Sequence, residues 1–372
     1  MNKLNIIIIL IDGARFDYTK KSKYYQKLTS DYSFISNSIT YGPHTIASMH
    51  STFSGCYGTR TGTNSYWSTF KFKKNNFKTL TEYLQEKKYY TICDIVNRLV
   101  IPRQGFDEFL IHNENNDDLI QKHSKILEQI KENGNEPFFT FLQFSNIHTG
   151  ISNEVSRVYN NFSEEYFNNK ESNEKRYSNL FKKSENYLDE ILKKIHSLEL
   201  DKNSLIWIMS DHGISIGEKI GEKTYGAFCY DYTLRTFALV KWPEMNKCEI
   251  TQQVRTIDFM PTILSILDIE LDSTFEPLDG ESLLPLFNGE KLDEKLAYSE
   301  TGNPLKDRKP PKEPNTRSIR SSKWKLISND YNNTKELYNL ELDPDEKNNI
   351  FGTGLEIEEF LKNKLDEIKN NY

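Results

Sequence analysis

The sequence lacks a long hydrophobic run. The apolar block near its start, Ile6–Ile11 within MNKLNIIIILIDG, ends at Asp12. A membrane-spanning helix needs about 20 apolar residues, and a secretory signal needs a longer apolar core followed by a cleavage site of small residues. We therefore expect a buried β-strand at this position, no transmembrane segment and a cytoplasmic protein.

Clustered cysteines and an excess of charge of one sign are also lacking. The four cysteines, at positions 56, 93, 229 and 248, form neither a CxxC pair nor a zinc-type spacing, so we expect isolated thiols in a reducing compartment. The 48 basic and 54 acidic residues are well mixed and give a net charge of −6. Because nucleic-acid binding generally requires a basic surface, we predict no nucleic-acid partner.

Short apolar blocks recur along the 372 residues, and segments with helical patterns separate them. Most blocks are continuously apolar rather than alternating, as expected for strands that are covered on both faces. The predicted strands are Asn5–Ile11, Tyr89–Ile95, Phe138–Phe144, Ser204–Met209 and Thr236–Val240, and the predicted helices are Thr45–Phe53, Leu80–Glu86, Asp117–Lys131, Asn173–Ser197 and Phe259–Leu267. This alternation predicts an α/β fold in which helices sandwich a mostly parallel central sheet.

The last part of the chain has a different pattern. Residues 302–316, GNPLKDRKPPKEPNT, are rich in proline and lysine and predict an exposed loop or a boundary. Two short predicted strands and a final amphipathic helix follow, at Arg317–Arg320, Trp324–Ile327 and Leu355–Lys369. We predict a catalytic domain over residues 1–300 and a small C-terminal α+β subdomain over residues 301–372.

Polar side chains follow three of the predicted strands. Asp12 follows the first, the segment Asn146–His148 follows the third, and Asp211 with His212 follows the fourth. The carboxyl ends of parallel strands meet at one edge of a sheet, and α/β proteins bind their ligands there. A carboxylate oxygen and an imidazole nitrogen can ligate one ion together. The sequence therefore predicts a metal site at this edge.

A hydroxyl-rich stretch, YGPHTIASMHSTFSG, occupies residues 41–55. Its composition is equally typical of a polar helix start and of the position of a hydroxyl nucleophile. The stretch alone leaves both interpretations open.

The chain resembles the sulfatase branch of the alkaline phosphatase superfamily. The motifs that carry this resemblance follow in order along nearly the whole chain: ILIDGARFDY, HTIASMHSTFSGCYGTRTG, QGFDEF, FFTFLQFSNIHTG, SDHG, YDYTLRTFALVKWPE, VRTIDFMPTILSILDIE, LDGESLLPLFNGE, RSIRSSKWKLI and KELYNLELDPDEKNNI. The resemblance implies an alkaline phosphatase-like fold with Thr45 as the nucleophile. It also implies that Asp12, Asp211, His212 and the Thr45 hydroxyl bind one divalent metal ion (Mn, Mg, Ca or Zn).

Two departures from the family pattern narrow the expected chemistry. Sulfatases convert the Cys or Ser of a Cys/Ser-x-Pro-x-Arg signature to formylglycine, whereas Thr45 is followed by IASM and a threonine cannot be converted in this way. Relatives with two zinc ions need an aspartate four residues before a histidine and another histidine late in the chain. Here Phe144 lies four residues before His148, and no histidine follows His212. One metal with a threonine nucleophile resembles the phosphoglycerol and phosphoethanolamine transferases of the superfamily.

Further site residues are implied by position. His148 lies where the family places a substrate-binding histidine, and it is our candidate for protonating the leaving group, with Lys223 as the alternative. His44 precedes the nucleophile and, like Lys223, is expected to contact the anionic part of the substrate. Ser48 is the alternative nucleophile.

These features predict a metal-dependent hydrolase or transferase that acts on phosphate- or phosphonate-type esters through a covalent Thr45 intermediate. The expected substrate is an ester of a small molecule, a glycan or a lipid headgroup. A sulfuric ester hydrolase (sulfatase) with an atypical nucleophile is one alternative. A non-catalytic member that binds a headgroup or a glycan is another, although the intact set of Asp12, Thr45, Asp211 and His212 argues against it.

Overall fold

A nine-stranded mixed sheet lies at the centre of the protein. The computed structural model describes residues 3–64, 71–135, 137–156, 164–222, 224–303, 311 and 313–371. The strands of this sheet are β1 (Asn5–Ile11), β2 (Ser33–Ile39), β3 (Tyr90–Ile95), β4 (Glu108–Ile111), β5 (Phe138–Phe144), β6 (Ser204–Met209), β7 (Arg235–Lys241), β8 (Glu249–Ile250) and β9 (Val254–Arg255). They lie in the order β4-β3-β5-β1-β6-β7-β2-β8, and β9 also pairs with β2.

The predicted α/β fold class is confirmed. Strands β4, β3, β5, β1 and β6 are parallel, and β7 is antiparallel to both of its neighbours, β6 and β2. The five predicted strands correspond to β1, β3, β5, β6 and β7. Strand β2 was not predicted because its sequence, SFISNSI, is half polar although most of its residues are buried.

Helices cover both faces of the central sheet. The helices are α1 (Phe16–Lys21), α2 (Lys23–Leu28), α3 (Thr45–Ser54), α4 (Gly58–Thr61), α5 (Leu80–Glu86), α6 (Leu119–Glu132), α7 (Asn146–Ile151), α8 (Glu164–Asn168), α9 (Lys170–Ser197), α10 (Asp231–Leu234), α11 (Phe259–Ile266), α12 (Leu284–Phe287) and α13 (Glu356–Asn371). None of the helices in the described ranges is long and apolar enough to cross a membrane.

Alternate side chains of β1 point into two separate cores. Ile7 and Ile9 pack in a cluster with apolar residues of α6 and α9, whereas Ile6 and Ile8 pack in a cluster with residues of α3, α5 and α11. All four side chains are almost fully buried, and each contributes about 1.5–3 kcal/mol through loss of apolar surface to water. This two-sided burial explains why the strand is apolar at every position from Ile6 to Ile11.

The C-terminal region forms a second, antiparallel sheet. Its strands are β10 (Ala297–Thr301), β11 (Thr316–Arg320), β12 (Trp324–Asn329) and β13 (Thr334–Asn339), in sequential order. The predicted strands correspond to β11 and β12, and the predicted final helix corresponds to α13. Leu361 and Leu365 of α13 pack on Leu326 and Leu337 of the sheet. The division at residues 300 and 301 stays a prediction.

A buried ion cluster joins the two sheets. Asp231 of α10 accepts from Arg320 Nη2 at 2.8 Å and from Lys325 Nζ at 2.9 Å, and Lys325 Nζ also lies 2.8 Å from Glu346 Oε1. Lys325 is fully buried, and Asp231 has a pKa well below its usual range despite its burial, because Arg320 and Lys325 stabilise its charge. Removal of one partner from such a buried set typically costs about 3–5 kcal/mol.

Candidate active site

The structure brings the predicted metal-binding residues together. Asp12 directly follows β1, and Asp211 and His212 follow β6, which pairs with β1 in parallel register from Asn5↔Ser204 to Leu10↔Met209. Gly13, with a φ of +74°, turns the chain just after Asp12, and an added Cβ there would lie 2.9 Å from Ile214. The adjacent strand ends therefore place both carboxylates and the imidazole in one buried cluster.

Thr45 is the first residue of α3, and its hydroxyl points into this cluster. Its Oγ1 lies 3.2 Å from His212 Nε2 and 3.5 Å from each carboxylate oxygen of Asp12. His44 is the N-cap of the helix, where its Nδ1 accepts from the Ala47 N–H at 3.4 Å. The hydroxyl thus lies beside the metal-ligand set and at a helix N-terminus, a position that favours bound anions.

Asp12 is held by a glutamine from the neighbouring strand. Gln143 Nε2 donates to Asp12 Oδ2 at 2.7 Å, and Gln143 Oε1 accepts from the Val96 N–H at 3.0 Å. Burial first, and then the charge of Asp211, raise the pKa of Asp12 to about 8. Burial and the nearby carboxylate therefore both disfavour the charged form of Asp12.

The hydrogen bonds of Asp211 and His212 leave their ligand atoms available. Asp211 Oδ1 accepts from the backbone N–H groups of Gly13 and His212, at 3.2 and 2.9 Å, whereas the buried Oδ2 accepts no hydrogen bond within the described part of the chain. His212 Nδ1 donates to the Gly213 carbonyl at 2.8 Å, which leaves a lone pair on Nε2. A hydrogen bond of this kind fixes the orientation of an imidazole that binds a metal ion.

These observations fit a divalent cation. Two buried carboxylates, an imidazole with its lone pair facing them and a hydroxyl form an oxygen-rich donor set with one nitrogen. Oxygen-rich sets suit Mg²⁺, Ca²⁺ or Mn²⁺, and the imidazole also suits Zn²⁺. A bound dication would offset the repulsion between Asp12 and Asp211 and would give the unpaired Asp211 Oδ2 a partner.

His148 lies at the same edge of the sheet, on α7 directly after β5. Its Nε2 hydrogen-bonds to the hydroxyl of Tyr225, whose ring lies 4.7 Å from the His212 ring with an interplanar angle of 35°. His148 Nδ1 is buried and has no hydrogen-bond partner among the described residues. Burial lowers the pKa of His148 below its ordinary value, which favours the neutral imidazole.

The other predicted contacts have different surroundings. His44 is buried close to His212, and burial lowers its pKa to about 3. Its Nδ1 caps α3, and its contact with substrate stays a prediction. Lys223 lies outside the described residues.

Ser48 is fully buried and already paired. Its Oγ donates to the Asp211 carbonyl at 2.9 Å and accepts from Thr40 Oγ1 at 2.7 Å. This serine therefore supports the backbone behind the site, whereas Thr45 faces the ligand atoms of the cluster.

A second buried cluster, which was not predicted from the sequence, supports the end of β5. Asp94 Oδ2 accepts from His112 Nδ1 at 3.1 Å and from His123 Nε2 at 3.0 Å. The remaining imidazole nitrogens accept from Ser145 Oγ at 2.8 Å and Tyr187 OH at 2.6 Å. Although two histidines and an aspartate can bind metal, these bonds pair all four imidazole nitrogens without an ion. The network anchors Ser145, three residues before His148.

Gln143 and Tyr225 are the site residues that sequence reasoning missed. Gln143 is a polar residue inside the apolar run FFTFLQF, and that anomaly beside the strand of Asp12 was the available signal. Tyr225 had no comparable signal, because its neighbourhood depends on how the loop after β6 folds over the sheet edge.

Glu222 organises the loop that carries Tyr225. Its Oε1 accepts from the N–H groups of Ala227 and Phe228, at 2.8 and 3.0 Å, and its Oε2 accepts from Tyr232 OH at 2.6 Å. Burial raises the pKa of Glu222 from 4.5 to about 7. The carboxylate thus ties both ends of this turn together.

Glu222→Gln should flatten the dependence of stability on pH. The folded protein holds the Glu222 proton more tightly than the unfolded chain, so the contribution of this group is fully present below about pH 4.5 and is lost as the pH rises through about 7. The loss amounts to about 3 kcal/mol. Denaturant unfolding of both proteins at pH 4.5 and pH 8 measures it. The exposed Glu359→Gln is the control, and an equal pH response in all three proteins would contradict the prediction.

Comparison with known proteins now identifies the family. A family model described as Sulfatase matches residues 4–269, and a second, described as N-sulphoglucosamine sulphohydrolase, C-terminal, matches residues 223–371. The chain belongs to the sulfatase family of the alkaline phosphatase superfamily.

Individual relatives are more distant. Arylsulfatase K of Mus musculus is 28% identical over 196 residues, which are 49% of this chain and 33% of that protein. The chain spans about a third of the length of the curated relatives it matches.

Solved structures match over nearly the full length. One, in complex with its substrate D-glucosamine-2-N,6-O-disulfate, has a TM-score of 0.75 at 18% identity and covers 99% of this chain and 98% of its own. The phosphonate monoester hydrolase from Silicibacter pomeroyi has a TM-score of 0.73 at 14% identity and covers 99% and 95%. At these identities the likeness establishes the fold.

Proposed function

We propose that this protein is a metal-dependent hydrolase or transferase of phosphate- or phosphonate-type esters with Thr45 as its covalent nucleophile. The observation that carries the proposal is the position of Thr45 Oγ1, 3.2 Å from His212 Nε2 and 3.5 Å from the Asp12 carboxylate, at the start of α3. Threonine has no route to formylglycine, so the hydroxyl itself must attack. The substrate class comprises esters of small molecules, glycans or lipid headgroups.

In the first half of the reaction, Thr45 attacks phosphorus, Asp12 accepts a proton and the start of α3 binds the anionic oxygens. Thr45 Oγ forms a bond to phosphorus while the bond to the leaving alcohol breaks, and Asp12 is the nearest carboxylate to take up the hydroxyl proton. The backbone N–H groups in the first turn of α3 face the anionic oxygens. A divalent ion held by Asp12, Asp211 and His212 would supply charge neutralisation at the phosphoryl oxygens and lower the pKa of the hydroxyl.

The second half of the reaction releases the group from Thr45. Water or an acceptor alcohol attacks phosphorus and breaks the bond to Thr45 Oγ, which regains a proton. His148, whose pKa is lowered by burial, contributes as a neutral hydrogen-bond donor to a substrate oxygen until the anionic substrate stabilises its protonated form. In that protonated form it can protonate the alcohol that leaves in the first half of the reaction.

A sulfate-ester hydrolase is the second candidate, because the matched family models and curated relatives are those of sulfatases. On this alternative, Thr45 would carry a sulfate ester. Such an ester lacks the hemiacetal that lets formylglycine expel sulfate, so turnover should stop after one round of transfer.

Acid-quenched mass spectrometry of the intact protein tests the choice. The metal-loaded protein is incubated separately with aryl esters of phosphate, phenylphosphonate and sulfate, and product release is followed in parallel. We expect a phenylphosphonate adduct at Thr45 together with multiple turnovers of the phosphorus esters. Faster multiple turnover of the sulfate ester than of every phosphorus ester would overturn the substrate class. Absence of turnover with every ester would favour a binding protein.

His148→Ala should lower kcat by about 10²–10³, the usual contribution of a positioned proton donor. The melting temperature should change little, because the variant loses one protein hydrogen bond, that of Nε2 with Tyr225, and Nδ1 has no partner among the described residues. Steady-state kinetics and thermal unfolding measure the two effects. His196→Ala is the control, since His196 lies exposed on α9 with Asp201. A collapse of the melting temperature in proportion to lost activity would instead assign His148 to packing.

A further inference from the structure

The geometry points to Tyr225 as the residue that positions His148 for its contact with substrate, through a hydrogen bond that fixes the proton on His148 Nδ1. This inference rests on the proposed function. Tyr225 contacts two imidazoles of the site at once, with its ring against His212 and its hydroxyl on His148 Nε2.

The direction of the hydrogen bond follows from chemistry. A phenol O–H is a stronger donor than a neutral imidazole N–H, and an imidazole nitrogen is a stronger acceptor than a phenol oxygen. The Tyr225 hydroxyl therefore donates to His148 Nε2, and the neutral ring carries its proton on Nδ1.

The unpaired Nδ1 of His148 indicates that its N–H group is available to a substrate. The atom is buried and makes no hydrogen bond within the described ranges, whereas buried polar groups are nearly always paired. A substrate oxygen would satisfy the Nδ1–H that Tyr225 enforces. Without the phenol hydroxyl, the proton could move to Nε2 and the substrate would face a lone pair instead.

The Tyr225 ring also contacts the rings of both histidines and so sets the spacing between them. Its centroid lies 4.7 Å from that of His212 and 5.3 Å from that of His148. The Gly213 carbonyl already fixes the orientation of the His212 ring through Nδ1. Because the Tyr225 ring packs against this fixed ring, its hydroxyl is held in place beside His148. The loop in turn is held by Glu222, as described above.

Tyr225→Phe tests the inference, because it keeps the ring and removes only the hydroxyl. With a phosphate ester as substrate, we expect kcat to fall about 10-fold or more while KM stays within threefold, because the Nδ1–H of His148 no longer faces the reacting group in most molecules. Tyr166→Phe is the matched control: it also removes one buried hydroxyl, which donates to the Ser215 carbonyl in the same loop at 2.8 Å.

A spectroscopic readout separates this inference from the proposed function. Imidazole ¹⁵N shifts in the metal-loaded protein, with the His148 signals assigned through His148→Gln, report which nitrogen carries the proton. Tyr225→Phe should move the proton toward Nε2. Unchanged His148 signals would overturn the inference even if no ester is turned over. Equal or higher kcat in Tyr225→Phe would also overturn it, and so would a loss that matches Tyr166→Phe in both kcat and melting temperature.

Discussion

Thr45→Ala should abolish ester turnover, with a loss in kcat on the order of 10³-fold or more, as expected when a covalent nucleophile is removed. The metal should still bind, although more weakly, because Asp12, Asp211 and His212 remain. Thr45→Ser should retain measurable activity, since it keeps a hydroxyl at the start of α3. Steady-state kinetics and titration of the metal measure these effects.

Ser48→Ala is the informative companion to this variant. Its loss removes the hydrogen-bond partner that the Thr40 hydroxyl and the Asp211 carbonyl share, so it should lower the free energy of unfolding by about 1–3 kcal/mol. Its kcat should stay far above that of Thr45→Ala. A dead Ser48→Ala beside an active Thr45→Ala would show that the nucleophile is wrongly assigned.

Asp211→Asn should change metal affinity and stability in opposite directions. The amide keeps the Oδ1 that accepts from Gly13 and His212, but it replaces the unpaired Oδ2 with an NH₂ group. Metal affinity should fall more than about 100-fold. This loss exceeds the roughly 10–100-fold loss that is typical when a residue that only hydrogen-bonds to a metal ligand is replaced. The metal-free variant should be more stable than the metal-free parent by about 0.5–2 kcal/mol, because the repulsion with Asp12 is gone.

Calorimetric metal titration and denaturant unfolding in chelator measure both quantities. Asp118→Asn is the control, since Asp118 caps α6 away from the cluster and asparagine caps a helix equally well. Elemental analysis should find one ion per chain in the parent. Two tightly bound zinc ions, or unchanged affinity in Asp211→Asn, would contradict the single-metal assignment.

The parts of the fold that were predicted share a physical cause. Strands β1, β5 and β6 are covered on both faces, so most of their positions are apolar and the pattern is visible in the sequence. Strand β2 places serines and an asparagine in buried positions, and β8 has only two residues. Their pairing depends on strands that are distant in the chain, so the local sequence does not predict it.

The same distinction applies to the site. Asp12, Asp211 and His212 were predictable because strand ends meet at one edge of a parallel sheet. The position of Tyr225 depends on the path of a loop, and the contact of Gln143 with Asp12 depends on the register of β5 against β1. Such contacts between distant segments are set by tertiary packing.

The ion cluster at the boundary of the two sheets restricts how this architecture can be divided or recombined. Asp231 lies in α10, directly before a strand of the large sheet, whereas Arg320, Lys325 and Glu346 belong to the last quarter of the chain. A chimera that exchanged one sheet alone would bury a carboxylate without its cations. An exchange between related proteins therefore has to move the small antiparallel sheet and the large sheet together.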